Sequence, residues 1–166
     1  IMKRIYSLLV ENRAGVLMKV AGLFTRRNFN INSLVVGETK DRDISCMTIV
    51  SNGDEHTIEQ IEKQLNKKLD IIKVKTFSSG SAINRELMLL KVKYNRSNRR
   101  DIMENCDIMQ ARIVDMSKSM MLIQICDTSE RVELFLEMFR SVSIVEVART
   151  GVVALQKCKE SEGKPV

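Results

Sequence analysis

The sequence predicts an α+β protein made of two consecutive βαββαβ units, each an antiparallel four-stranded sheet with its helices on one face. Three observations carry that prediction. Apolar residues alternate at period two or recur at helical spacing in the order strand, helix, strand, strand, helix, strand. Polar turns join neighbouring strands as hairpins at 31–51 and 110–126, and the whole order recurs after a small polar break at Ser78-Ser79-Gly80-Ser81. The hairpins argue against a single α/β domain, which needs parallel strands and long crossovers.

The first strand, over residues 2–10, sets Ile5, Ser7 and Leu9 on one side and Tyr6, Leu8 and Val10 on the other, the pattern of an interior strand. A helix over 14–27 places Leu17, Val20, Ala21 and Phe24 on one face and ends in Arg26-Arg27, which suits its negative end. Strands at 31–38 and 44–51 flank the polar turn Lys40-Asp41-Arg42-Asp43. A helix over 55–67 turns Ile58, Ile61 and Leu65 inward, and a strand at 70–77 closes the unit.

The second unit repeats this plan. Strands are expected at 85–94, 110–116, 119–126 and 143–149, with helices at 97–106 and 129–140. Val132, Phe135, Leu136 and Phe139 give the later helix its apolar face. The expected organisation is 2–77 and 83–156 as two ferredoxin-like units, 78–82 as their link and 157–166 as a flexible tail. Units this small bury a modest share of their surface, so a dimer is expected.

Composition narrows the function. With 166 residues and 44% apolar content the chain can build one medium domain or two small ones. It contains no long uncharged apolar run, and Ile1-Met2-Lys3-Arg4-Ile5 enters a strand pattern directly. The expectation is a soluble cytoplasmic protein, without a membrane anchor or leader. Cys46, Cys106, Cys126 and Cys158 are scattered and His56 is the sole histidine, which argues against zinc. Cys46 and Cys126 fall in apolar runs and read as small buried hydrophobes, and Met116, Met120 and Met121 as core filling or a Met-lined partner surface.

The net charge of +6 raises nucleic acid as a partner, yet the basic runs Arg26-Arg27, Lys67-Lys68 and Arg96-Ser97-Asn98-Arg99-Arg100 are short. Aromatic residues amount to 4% and tryptophan is absent, leaving few platforms for base stacking. The runs read as solvated surface or as contacts with an acidic partner protein. No catalytic constellation, phosphate-binding loop or dinucleotide fingerprint is present. Within Cys126-Asp127-Thr128-Ser129, Asp127 and Thr128 read as a turn and helix cap.

A binding site is the better reading, and it centres on Leu8-Leu9-Val10-Glu11-Asn12-Arg13-Ala14-Gly15-Val16-Leu17. A helix start offers unpaired backbone N–H groups and a positive dipole end, which favour a carboxylate. Asn12 reads as an N-cap or as an amide facing a ligand. Gly15, in the first turn, reads as the product of close approach by a ligand or neighbouring chain, or of tight packing or a simple turn. Asn30 caps a turn or joins Asn12 in recognising the charged ends of an amino acid. Val16, Leu17 and Ile31 can enclose an aliphatic side chain, at about 1.5–3 kcal/mol for a valine-sized group.

On these residues the sequence resembles the small regulatory subunit of acetolactate synthase (acetohydroxyacid synthase), with an amino-terminal ACT domain over 2–77. The resemblance covers about residues 2–156 and rests on Leu9–Leu17, Phe29-Asn30-Ile31-Asn32-Ser33-Leu34, Gly53-Asp54-Glu55 with Ile58–Leu65, and Ile144–Gly151 in that order. It implies a regulator of branched-chain amino-acid biosynthesis that is not itself an enzyme. Such a protein stimulates a large catalytic subunit and confers feedback inhibition by valine. Thiamine diphosphate, magnesium and FAD then belong to the catalytic subunit, with no cofactor, metal or nucleic acid on this chain.

Asn12, Gly15, Val16 and Asn30 match positions around the amino acid at the ACT dimer interface of the family, and Ala14, Leu17 and Ile31 complete the expected valine-binding set. The helix start of one chain and the Asn30 region of its neighbour would share the ligand. Asn28 stands where the family often has glycine, and Ala14 where it often has proline or serine. Competing functions are a free-standing amino-acid sensor, and an RNA-binding protein, for which the aromatic strand pattern is missing.

Overall fold

A computed structural model describes residues 2–78 and 80–158, Met2 by its backbone alone. The expectations for Ile1, for Ser79 in the link and for residues 159–166 of the tail lie outside the described residues. The elements run β1 (Met2–Glu11), α1 (Val16–Arg26), β2 (Ile31–Glu38), β3 (Ile44–Gly53), α2 (Glu55–Asn66) and β4 (Ile71–Phe77). Then come β5 (Ala82–Lys93), α3 (Arg99–Met109), β6 (Arg112–Met116), β7 (Met120–Asp127), α4 (Ser129–Met138) and β8 (Ile144–Gln156).

Two antiparallel sheets repeat one strand order, β2-β3-β1-β4 and β6-β7-β5-β8, as the fold prediction requires. β1 lies in the interior of its sheet, running from Met2 opposite Gly53 to Glu11 opposite Ile44 on β3, with β4 on its other side. Its alternation sends Tyr6, Leu8 and Val10 to one face, all fully buried with Val20 and Phe24 of α1 and Ile61 and Leu65 of α2. The second core joins Met88, Leu90 and Val92 of β5 to Ile102 and Cys106 of α3 and to Val132 and Phe135 of α4.

Polar residues open α2 and α4 at the expected positions, whereas α1 and α3 each begin two residues later than expected, and α3 runs on to Met109. Asp54 Oδ1 accepts from the Thr57 N–H at 2.7 Å to open α2, and Thr128 Oγ1 accepts from the Arg131 N–H at 3.4 Å to open α4. The α1 stripe differs from expectation. Val16, Val20, Leu23 and Phe24 are buried, whereas Leu17 is 45% exposed and Ala21 half-buried. Both sets obey helical spacing, and the sheet takes the one carrying the bulkier Leu23 in place of Ala21.

By compactness the chain divides into two units, residues up to Ile83 together with those from Val152 on, and Asn84–Gly151. The expected end of the last strand at 149 is corrected, since β8 continues through Gly151, at φ +87°, to Gln156. That glycine reads locally as a break. Contacts within the first unit hold the continuation: the Val152 N–H donates to Ser33 Oγ at 3.1 Å and Lys75 Nζ to Gln156 Oε1 at 3.3 Å.

Exposure corrects the readings of four residues. Cys126 is exposed and Cys46 half-buried, while Cys106 is the buried thiol, its pKa pushed up to about 11 by burial and then by Asp107. Met121 is core, but Met116 and Met120 are exposed. At Cys46, Cys126 and Met120 the pleat turns the side chain away from the face of a buried neighbour, whereas Met116, opposite the buried Met121, is exposed at the end of the edge strand β6. Among the described residues no helix is long and apolar enough to cross a membrane.

Candidate functional site

The turn from β1 into α1 places five of the predicted residues, Asn12, Ala14, Gly15, Val16 and Leu17, in one short segment. Asn12 is not the N-cap. Its N–H donates to the Asp43 carbonyl at 2.8 Å and its Nδ2 to the Arg42 carbonyl at 2.7 Å, so it ties the end of β1 to the β2–β3 turn. The side-chain oxygen meets no donor among the described residues and faces outward with the exposed Asn12. Sequence reasoning treated Arg42 and Asp43 only as a hairpin turn, because a contact spanning thirty positions leaves no local pattern.

Gly15 occupies the cap position, at φ +87° and ψ −11°. Its conformation accounts for the glycine, since a Cβ built there meets nothing within 4 Å. Tight packing within the chain is therefore not the reason. Glycine brings no side chain to bond the helix start, and only the Val16 N–H finds a carbonyl, that of Arg13 at 3.3 Å. Among the described residues the N–H groups of Leu17 and Met18 have no acceptor, which leaves a concentrated donor pair at the positive end of the helix.

Neighbouring charges are satisfied among themselves. Arg13 pairs with Glu11, and Lys19 Nζ meets Asp70 Oδ2 at 2.9 Å, a hydrogen bond that lowers the Asp70 pKa. A carboxylate arriving at the helix start would thus meet backbone donors rather than a free cation. Leu17, 45% exposed, and Met18, 78% exposed, supply apolar surface beside them, while Val16 is buried in the core.

Asn30 and Ile31 lie elsewhere. After α1 the chain reverses through Asn28, at φ +56°, and the Phe29 N–H returns to the Phe24 carbonyl at 2.9 Å, a glycine-type helix ending that asparagine also tolerates. The exposed Asn30 gives its carbonyl to Ser51 Oγ at 2.7 Å, and the half-buried Ile31 pairs with Ser51. Ser51 stands opposite Arg4, whereas the Asn12 turn follows Glu11 opposite Ile44. Seven strand positions separate these pairs, about 23 Å at 3.3 Å per residue. One chain does not bring Asn12 and Asn30 together.

No group of three or more histidine, cysteine, aspartate or glutamate side chains among the described residues is arranged to hold a metal. The fold and the uncapped turn define a protein of two ferredoxin-like units whose first unit is an ACT-like domain. A family model described as an AHAS small subunit-like ACT domain matches residues 6–73, and one described as the small subunit of acetolactate synthase matches 85–158.

The chain is 44% identical over 154 residues to a probable acetolactate synthase small subunit of Methanothermobacter thermautotrophicus, covering 92% of each. It is 43% identical over 157 residues to the acetolactate synthase isozyme 3 small subunit of Escherichia coli, covering 94% of this chain and 96% of that one. The crystal structure of the small subunit from Thermotoga maritima superposes with a TM-score of 0.89 at 36% identity, over 96% of this chain and 99% of that one. This chain belongs to the acetolactate synthase small-subunit family.

Proposed function

We propose that this chain is the regulatory subunit that stimulates a separate acetolactate synthase catalytic subunit and makes it subject to feedback inhibition by valine, in branched-chain amino-acid biosynthesis. Two copies pair through their ACT domains in the cytoplasm and enclose the effector between them. One copy offers the uncapped helix start with Asn12, Ala14, Gly15, Val16 and Leu17, and the other offers Asn30 and Ile31.

The observation that carries this reading is the separation of Asn12 from Asn30 by about the length of the sheet. Two exposed amides that cannot meet within one chain become complementary across a dimer. The free N–H groups of Leu17 and Met18 suit the carboxylate, the amide oxygens suit the ammonium, and the exposed Leu17 suits the aliphatic side chain. On this reading thiamine diphosphate, magnesium and FAD belong to the catalytic polypeptide.

Regulation requires that valine favour one packing of the paired domains over another, since equal affinity for both shifts nothing. A coupling of about 1–3 kcal/mol gives several-fold to hundredfold control. The test is calorimetric titration of the purified chain and its Asn30→Ala variant with valine, isoleucine and leucine, followed by activity with the catalytic subunit. Valine binding and valine sensitivity are expected to fall while stimulation persists. Unchanged valine titrations in a folded Asn30→Ala protein would remove the site.

A further inference from the structure

Helix α3 carries its charges against its own dipole. Arg99 and Arg100 occupy its first turn, where the positive helix end disfavours cations and only Asp101 conforms. The last turn holds Asp107 and no basic residue. Ile102, Cys106 and Met109 fill the inner face, so these charges lie outside the core.

Nor does the chain use them. Among the described residues Arg96, Arg99, Arg100, Glu104 and Asp107 form no ion pair, although Arg100 and Glu104 stand four apart on the helix. With Met103, 43% exposed, these five residues line an open groove. A charge order that weakens the helix and is not compensated within the chain points to something outside it.

The order also specifies what that is. A segment lying antiparallel to α3 must be acidic opposite the arginines and basic opposite Glu104 and Asp107. A second α3 related by a twofold axis meets both demands at once, because an isologous contact sets each end of a surface against the other end of its copy. With the axis beside Met103, Arg100 of each copy faces Asp107 of the other and the two methionines meet at the centre. A nucleic acid fits less well, since Glu104 and Asp107 would repel its phosphates.

We propose that α3 is a self-complementary surface through which the second units of two copies associate antiparallel. The proposal is independent of the amino-acid site. Sedimentation of the full chain at low salt tests it with two variants, Arg99→Glu with Arg100→Glu, which makes the face acidic, and Glu104→Lys with Asp107→Lys, which makes it basic. Each is expected to self-associate at least about tenfold more weakly than the parent.

An equimolar mixture of the two is expected to regain association, as is the fourfold swap. Each reversal gains at the helix dipole and sets like charges at positions 100 and 104, effects of similar size and opposite sign, so thermal unfolding midpoints should stay close to that of the parent, which separates lost association from lost folding. Single-sign variants that associate like the parent would overturn the proposal. So would a mixture no stronger than its components. At protein concentrations where the ACT domains stay paired, valine titrations of these variants are expected to match those of the parent.

Discussion

Replacing Gly15 by alanine separates the backbone requirement at the start of α1 from any requirement of a ligand. At φ +87° the residue sits in the left-handed region, where an L side chain costs about 1–2 kcal/mol. No clash adds to this, because the new Cβ meets nothing within 4 Å. The whole loss should therefore be about 1–2 kcal/mol, lowering a urea midpoint by about 1 M at the slope usual for small domains. Gly15→Asn should lose less, as this chain already tolerates asparagine at φ +56° at Asn28.

Binding follows a different rule. In the proposed site the ligand seats beside Gly15, where an added methyl group would crowd it, so valine affinity of the folded Gly15→Ala protein should drop about tenfold or more, equivalent to about 1.4 kcal/mol. Urea unfolding and calorimetry on the same preparations give both numbers. A stability equal to that of the parent would refute the left-handed cap. Undiminished valine affinity would refute a ligand cradle at this helix start.

Other consequences concern stability and reactivity. The Asp54 carboxyl is held below the usual range by hydrogen bonds from Thr57, so its cap stabilises above the unfolded pKa of about 4 and fades as the pH falls through the lower folded value. The gap in urea midpoint between the parent and Asp54→Ala should accordingly be steady near neutral pH and close in acid. Arg149 holds the buried Glu86 through Nε at 2.6 Å and a second nitrogen at 3.1 Å, and the hydrogen bond to Glu86 raises the arginine pKa. Arg149→Leu should cost about 3 kcal/mol in equilibrium unfolding, the low end for a broken buried pair because the arginine is about a third exposed, and adding Glu86→Leu should recover part of it. At about pH 8 a soft alkylating reagent should modify the exposed Cys126 and Cys158 while Cys106 reacts only on unfolding, as mass spectrometry of the labelled peptides would show.

Much of this architecture is local, and so it was legible in the sequence. Alternation at Tyr6, Leu8 and Val10, the inward residues Ile58, Ile61 and Leu65, and the cap Thr128 each express a preference that a few neighbouring residues satisfy. The candidate turn was found for the same reason, because a polar step, a glycine and an apolar run lie within one short stretch.

What the turn does with those residues was settled at longer range. Asn12 bonds to Arg42 and leaves the cap to Gly15, Leu17 points outward while Leu23 points in, and β8 continues past Gly151 to meet Ser33 and Lys75. Register fixes the rest: Asn30 beside Ser51 and Asn12 beyond Glu11 lie at opposite ends of one sheet. Sequence by itself determined which elements form and which residues are chemically suited to a ligand, since period and capping act over a turn or a strand. Only the tertiary structure decided which of those residues can meet, because strand pairing joins positions far apart along the chain and no local pattern encodes that choice.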